Sequence, residues 1–272
     1  MIEILKAILY GIVEGITEWL PVSSTGHLIL LEEFIKLDVS QAFWEMFLVV
    51  IQLGAIMAVV VIYFKRLWPF ETKPKLRIPK DKLDMWLKIL VACVPAAVIG
   101  LLFDDKIDQL FYHYVPVAIA LIVFGIAFLV VEKRNVDRPV RVDSIAEITY
   151  RDAIIIGLFQ LLAAVFPGTS RSGATILGGI VIGLSRTTAA EFTFFLAVPV
   201  MMGASLLKLV KFGLVFSATE GLVLVVGMVT AFVVSIIAIK FLLGYIKKNN
   251  FNAFGYYRII LGLIVLFYAI SQ

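Results

Sequence analysis

The sequence predicts an all-α polytopic membrane protein, a single membrane domain over 1–272 with six transmembrane helices and two re-entrant helical hairpins in an inverted-topology repeat. Three observations carry this. The 272 residues are 61% hydrophobic and 16% charged, with a mean hydropathy of +1.02, more apolar surface than a water-soluble domain can bury. Eleven of the 24 lysines and arginines gather in two short connections, so the net charge of +4 points to membrane orientation and not to nucleic acid as a partner. A proline-interrupted, hydroxyl-rich segment also occurs twice, around Pro21 and around Pro167. The lone cysteine, Cys93, excludes a disulfide or a cysteine-based metal site within one chain. The first residues lack the basic region and cleavage site of a secretory signal and are expected to belong to the mature fold.

In chain order, residues 2–13 are almost wholly apolar, and Glu14, Glu18 and Pro21 follow. Crossing a bilayer takes about 20 apolar residues, so this run is predicted to dip in and stop. A second short helix is expected from Ser23 or Ser24, either of which suits an N-cap, to residue 35, completing a hairpin over 2–35. Residues 42–64 form a full span that meets Lys65, Arg66, Lys73, Lys75, Arg77, Lys80 and Lys82, a connection that the positive-inside rule puts in the cytoplasm. Residues 85–103 cross back to an acidic, aromatic loop with Asp104, Asp105 and Asp108, and 115–131 return to Lys133, Arg134, Arg138 and Arg141. That completes repeat one, about 1–135.

Repeat two, about 150–272, opens with a hairpin over 151–184, in which 153–157 and Pro167 echo 7–11 and Pro21. Glu45 and Glu191 then fall at matching helix starts, and 189–210, 221–243 and 253–270 supply three more spans. With an odd number of spans per half, the second hairpin must enter from the face opposite the first. The loop charges bring hairpin one in from outside and hairpin two from the cytoplasm, with Lys208 and Lys211 counting against that orientation.

Ionisable groups inside a membrane cost roughly 2.5–3.5 kcal/mol each on insertion scales and are functional candidates by default. Glu14 and Glu18 share one helix face, with about 5–6 Å between their Cβ atoms. Such a pair shares either a proton or a divalent cation, Mg²⁺ or Ca²⁺, whose hard charge suits carboxylates and bridges to phosphates. Ser23, Ser24, Thr25 and Gly26 occupy a helix start, which is a cap and turn or an anion site. The twin segment, with Thr169, Ser170, Arg171, Ser172 and Gly173, adds an arginine whose planar fork matches phosphate oxygens. Two opposed helix starts with Arg171 predict a basin for a phosphate or pyrophosphate group.

His27 follows on the face of Ser24, as a structural residue or as the base or nucleophile of phosphoryl transfer; His113 is read as a surface residue. The repeat is chemically lopsided, because Gln160 and Ala164 stand where Glu14 and Glu18 do. The first half therefore reads as catalytic and the second as an anion clamp. Arg186, Glu45 and Glu191 read equally as ion-pair or cap residues. An anion transporter or a lipid flippase using the same pocket are the rival functions, since broken helices in inverted repeats are also a transporter plan.

Three strings, Glu14-Gly-Ile-Thr-Glu18 running into Leu20-Pro-Val-Ser-Ser-Thr-Gly-His27, Pro167-Gly-Thr-Ser-Arg-Ser-Gly173, and Ala190-Glu-Phe-Thr-Phe-Phe-Leu-Ala-Val-Pro199, resemble the undecaprenyl-diphosphate phosphatase family, bacterial membrane enzymes also known for bacitracin resistance. The match covers nearly the whole chain. The resemblance implies hydrolysis of undecaprenyl diphosphate to undecaprenyl phosphate and inorganic phosphate, recycling the carrier for peptidoglycan synthesis. It implies a divalent cation, a multi-pass place in the bacterial plasma membrane with the site facing outside, and a polyprenyl diphosphate lipid as partner, with membrane lipids around it and a homodimer as a candidate assembly. Carried over by motif, Glu14 and Glu18 are the acidic pair and metal ligands, Ser24 and His27 the candidates for nucleophile and base, and Arg171 a catalytic residue. Arg171 is also expected, with Ser23, Thr25, Gly26, Thr169, Ser170, Ser172 and Gly173, to bind the headgroup. Spacing leaves open whether Ser24 or His27 takes the phosphoryl group.

Overall fold

In a computed structural model, which describes residues 1–71, 77–213 and 215–271, the regular elements among those residues are helices. The expected basic residues Lys73 and Lys75 fall outside the described residues. In order, they are α1 (Ile2–Thr17), α2 (Ser24–Phe34), α3 (Gln41–Ile62), α4 (Phe64–Leu67), α5 (Lys80–Phe111), α6 (Tyr114–Arg134), α7 (Tyr150–Val165), α8 (Arg171–Val181), α9 (Arg186–Phe212), α10 (Ala218–Ile246) and α11 (Asn252–Ser271), with a 3₁₀ turn at Ile145–Glu147. Six of these, α3, α5, α6, α9, α10 and α11, are long and apolar enough to cross a membrane. The chain is thus an all-α, multi-pass membrane protein.

Local chemistry explains most boundaries. Ser40, Ser185 and Ser217 cap α3, α9 and α10, each accepting from a backbone N–H three residues on, and Thr149 with Asp152 forms a capping box at α7. One boundary departs from expectation. The acidic stretch after residue 103 is helical, because α5 runs on to Phe111 with no glycine or proline to stop it. At 32 residues, the helix is about 48 Å long, and it projects well beyond a hydrocarbon core of about 30 Å.

The two short helix pairs match in length, 16 and 11 residues for α1 and α2 and again for α7 and α8. Each leans on the other half of the chain. The main face of α1 lies on α10 and that of α7 on α5, while α3 packs on α9 and α6 on α11. In lipid there is no hydrophobic drive between helices, so such pairs depend on close van der Waals fit at small residues. Gly54 marks the tightest crossing, where a Cβ would lie 2.0 Å from the Met228 carbonyl oxygen on α10. Backbone cannot yield there as a flexible side chain could.

Gly54→Ala should therefore lower the thermal midpoint in detergent by an amount corresponding to about 1–3 kcal/mol of overpacking. Gly100→Ala, with open space around it, should leave the midpoint unchanged or slightly raised, since it removes a helix-interior glycine. Equal midpoints for the two variants would contradict the close α3–α10 crossing.

Candidate active site

Two turns meet, one from each short pair. Helix α1 stops at Thr17, and the following turn reaches Pro21, which has no N–H to continue a helix. Trp19, fully buried against Phe194 with ring centroids 5.3 Å apart, fixes this turn to α9. Ser23 and Ser170 then cap α2 and α8 in the same uncommon backbone state, φ +74° and +69°, and accept from the N–H groups of Gly26 and Gly173 at 3.3 and 3.1 Å. Non-glycine residues hold such a conformation only where their surroundings enforce it, and they cluster at functional sites. The second turn has one residue more after its proline, so Ser23 corresponds to Ser170 and Arg171 occupies the helix position of Ser24.

The centre of the site is the Glu18 carboxylate. Ser24 Oγ donates to Oε2 at 3.0 Å, and Arg171 Nη2 donates to Oε1 at 2.8 Å. Ser172 Oγ donates to the Glu18 carbonyl at 2.8 Å, which ties the turns again through the backbone. Arg171 is held from below by the third sequence motif, with Nη1 donating to the Thr193 carbonyl at 3.1 Å and the guanidinium 6.0 Å from the Trp19 ring centroid. Beneath it, Thr193 donates to Thr175 at 2.8 Å, and Thr175 donates to the Arg171 carbonyl at 2.9 Å. A cavity of about 180 Å³ opens here, lined by Glu18, Ser24, Thr25, Pro167, Gly168, Ser170 and Arg171 from the turns, with Gln52, Ala163, Val200, Met201 and Ala204 around them.

Glu14 lies one turn back from Glu18, fully buried, with no hydrogen-bond partner for either carboxylate oxygen among the described residues. An ionised carboxylate cannot be left so without great cost. The pair therefore fits a shared proton or a divalent cation. No third Asp, Glu, His or Cys joins it among the described residues, so a cation would complete its shell with water or substrate oxygens, as Mg²⁺ commonly does.

His27 does not reach Ser24. Its Nδ1 lies 2.7 Å from the Ser23 carbonyl, and its Nε2 lies 2.6 Å from the Tyr257 hydroxyl. A carbonyl only accepts, so Nδ1 donates and, in the neutral ring, Nε2 accepts from Tyr257. The imidazole thus braces the Ser23 turn from behind while Ser24 points across to Glu18. Ser23, Gly26, Thr169, Ser172 and Gly173 also stand behind the cavity wall, shaping the two turns. Of the supporting charges, Arg186 pairs with Glu132 at 2.5 Å, Glu191 with Arg66 at 2.8 Å, and Glu45 accepts from Gln41 at 3.1 Å. His113 donates to the Gln109 carbonyl at the surface. None of these enters the cavity.

Sequence reasoning passed over Arg258, a fully buried residue of α11. It donates to the Pro21 carbonyl at 3.2 Å and to the Gly168 and Thr169 carbonyls at 3.0 and 2.7 Å, clamping both turns at once. A Cβ on Gly173 would lie 3.0 Å from its Nη1, so glycine makes room for the guanidinium. The signal was present, because an arginine inside a predicted span is itself a candidate. Tyr257 and Gln52 carried no such mark.

A family profile described as "Bacitracin resistance protein BacA" matches residues 7–264. Curated relatives include an "Undecaprenyl-diphosphatase" of Desulfitobacterium hafniense, 62% identical over 98% of this chain and 96% of that protein. An "Undecaprenyl-diphosphatase 1" of Clostridium acetobutylicum is also 62% identical, over 98% and 97% of the two chains, and an "Undecaprenyl-diphosphatase" of Enterococcus faecalis is 59% identical over 97% and 96%.

Removing the clamp in Arg258→Met strands turn carbonyls in a buried site, at about 1–3 kcal/mol for each group left unpaired. The thermal midpoint in detergent should fall by several degrees, and Arg258→Lys, keeping one or two of the bonds, should fall less. An unchanged midpoint in Arg258→Met would show that the turns are held by other contacts.

Proposed function

The chain belongs to the family described as bacitracin resistance protein BacA, and from that premise we infer that it is an undecaprenyl-diphosphatase, hydrolysing undecaprenyl diphosphate to undecaprenyl phosphate and inorganic phosphate. The carrier is thereby returned to cell-wall synthesis, which accounts for bacitracin resistance. The observation that carries the mechanism is the single carboxylate, Glu18, between a hydroxyl and an arginine from opposite turns.

Phosphoryl transfer needs positioning and charge stabilisation more than covalent assistance. The terminal phosphate lies between the turns, with Arg171, Thr25, Ser170 and the N–H groups of the α2 and α8 starts on its oxygens. Ser24 attacks the terminal phosphorus while its proton passes to Glu18, 3.0 Å away. The bridging P–O bond breaks, and the lipid phosphate leaves with that proton. Water then attacks the phosphoserine, giving a proton to Glu18, and Ser24 recovers it as inorganic phosphate departs. His27 positions the Ser23–Ser24 turn in this scheme, since both of its nitrogens are engaged away from Ser24.

A divalent cation on Glu14 and Glu18 fits the charge balance. Two acids and the arginines 171 and 258 are the charges of the two turns and their clamp, so an incoming diphosphate adds negative charge with no further cation lining the cavity among the described residues. The ion would supply electrostatic stabilisation of the phosphate oxygens. The enzyme's place is the bacterial plasma membrane, with the cavity facing the external side where the diphosphate is released.

Phosphate release by purified protein tests this reading. Ser24→Ala and Arg171→Ala should each lose at least about 100-fold in kcat, the scale of a lost transition-state contact. Chelation should abolish turnover, and Mg²⁺ or Ca²⁺ should restore it. With Glu18 as base and His27 only positioning the turn, His27→Ala should keep at least about tenfold more kcat than Ser24→Ala does. A loss of kcat in His27→Ala as large as that in Ser24→Ala would return the role of base to His27.

A further inference from the structure

Gln52 lies near the middle of α3, a helix whose neighbouring Val50 and Ile51 are buried. Its side chain is only half-buried, and it faces the cavity that holds Ser24 and Arg171. No protein hydrogen bond to its amide is found among the described residues. A primary amide carries two donors and an acceptor, and setting these in an apolar span without partners is unfavourable. An open amide at this position therefore points to a ligand that completes it.

The cavity has two characters. Its lining includes Glu18, Ser24, Thr25, Ser170 and Arg171 from the pair of turns, and an apolar wall of Val200, Met201 and Ala204 from α9. Among the lining residues, Gln52 is the polar side chain that belongs to neither turn. Ser24 and Arg171, joined through Glu18, define where the attacked phosphorus sits. The other phosphate must lie away from Ser24, in line with the bond that breaks, and lead on to the apolar wall where the prenyl chain begins.

We propose that Gln52 is the ligand of the phosphate that stays on the lipid, donating its amide N–H groups to that phosphate while the two turns hold the terminal one. This rests on the reading of the cavity as the diphosphate site. A neutral amide suits the position, because it orients the leaving group without the charge attraction that would retain the lipid monophosphate after cleavage. Gln52 is on this account a specificity determinant for a diphosphate whose inner phosphate carries an apolar chain.

The test uses the full-length protein in detergent with Gln52→Met, which keeps the volume and removes the hydrogen bonds, and Gln52→Glu, which places a carboxylate against the phosphate. Inhibition by undecaprenyl phosphate and by inorganic phosphate is measured separately, alongside KM and kcat. Gln52→Met should raise KM and weaken inhibition by the lipid monophosphate about tenfold or more, as for a lost bond to a charged group. Inhibition by inorganic phosphate, which occupies the position held by the two turns, should stay within about twofold. Gln52→Glu should weaken lipid monophosphate inhibition further.

Unchanged lipid monophosphate inhibition in either variant, at an unchanged melting temperature, overturns the proposal. So does a selective loss of inorganic phosphate inhibition, which would put Gln52 on the terminal phosphate. If one variant melts early, the other decides. Full turnover in Ser24→Ala and Arg171→Ala would remove the underlying site reading itself, whereas inactive turn variants with silent Gln52 variants would remove this inference alone.

Discussion

A charge shared between two turns governs this molecule. Glu18 closes α1, Arg171 opens α8, and in so buried a position neither tolerates isolation. Removing one member of such a buried pair leaves the other uncompensated, commonly at about 3–5 kcal/mol. The turns are therefore held together by the same contact that sets the electrostatics of the cavity. Ser24 is presented to the second carboxylate oxygen, so the pairing that holds the halves together also orients the hydroxyl.

The scaffold serves that contact by exchanging partners between the halves. With α1 resting on α10 and α7 on α5, neither short pair has its principal support from its own half. Arg258 completes the arrangement by binding carbonyls of both turns from one guanidinium, a task that suits its rigid fork of donors. The positive φ at Ser23 and Ser170 is sustained by these surroundings. His27 and Tyr257 brace the first turn, and Gly173 leaves space for Arg258 beside the second.

Near-equivalence of the halves makes their chemical difference informative. Glu14 is buried with no hydrogen-bond partner among the described residues, while Gln160, at the corresponding place in α7, donates to the Ala92 carbonyl at 3.4 Å. One half thus keeps an unbalanced acid beside the hydroxyl, and the other supplies an arginine and a neutral filler. This asymmetry suits phosphoryl transfer, in which attack comes from one side and charge is offset from the other.

The linear order of residues was enough to determine the helical, multi-pass class and to mark the two short helix pairs, and it named Glu14, Glu18, Ser24 and Arg171 as candidates. Hydropathy, proline and acids in an apolar run act locally, over one or two helical turns. Even the helix extension beyond residue 103 lay within reach of local signals, since no breaker stands there. The destinations of the side chains were not legible in this way. Spacing placed His27 on the face of Ser24, yet the fold gives its two nitrogens to Ser23 and to Tyr257, far along the chain. Gln52 and Arg258 likewise acquire their roles only when α3 and α11 are brought against the turns. Periodicity reports which residues share a helix face; which groups meet across helices depends on close packing and on finding a partner for every buried polar atom, and those conditions are met only in the assembled fold.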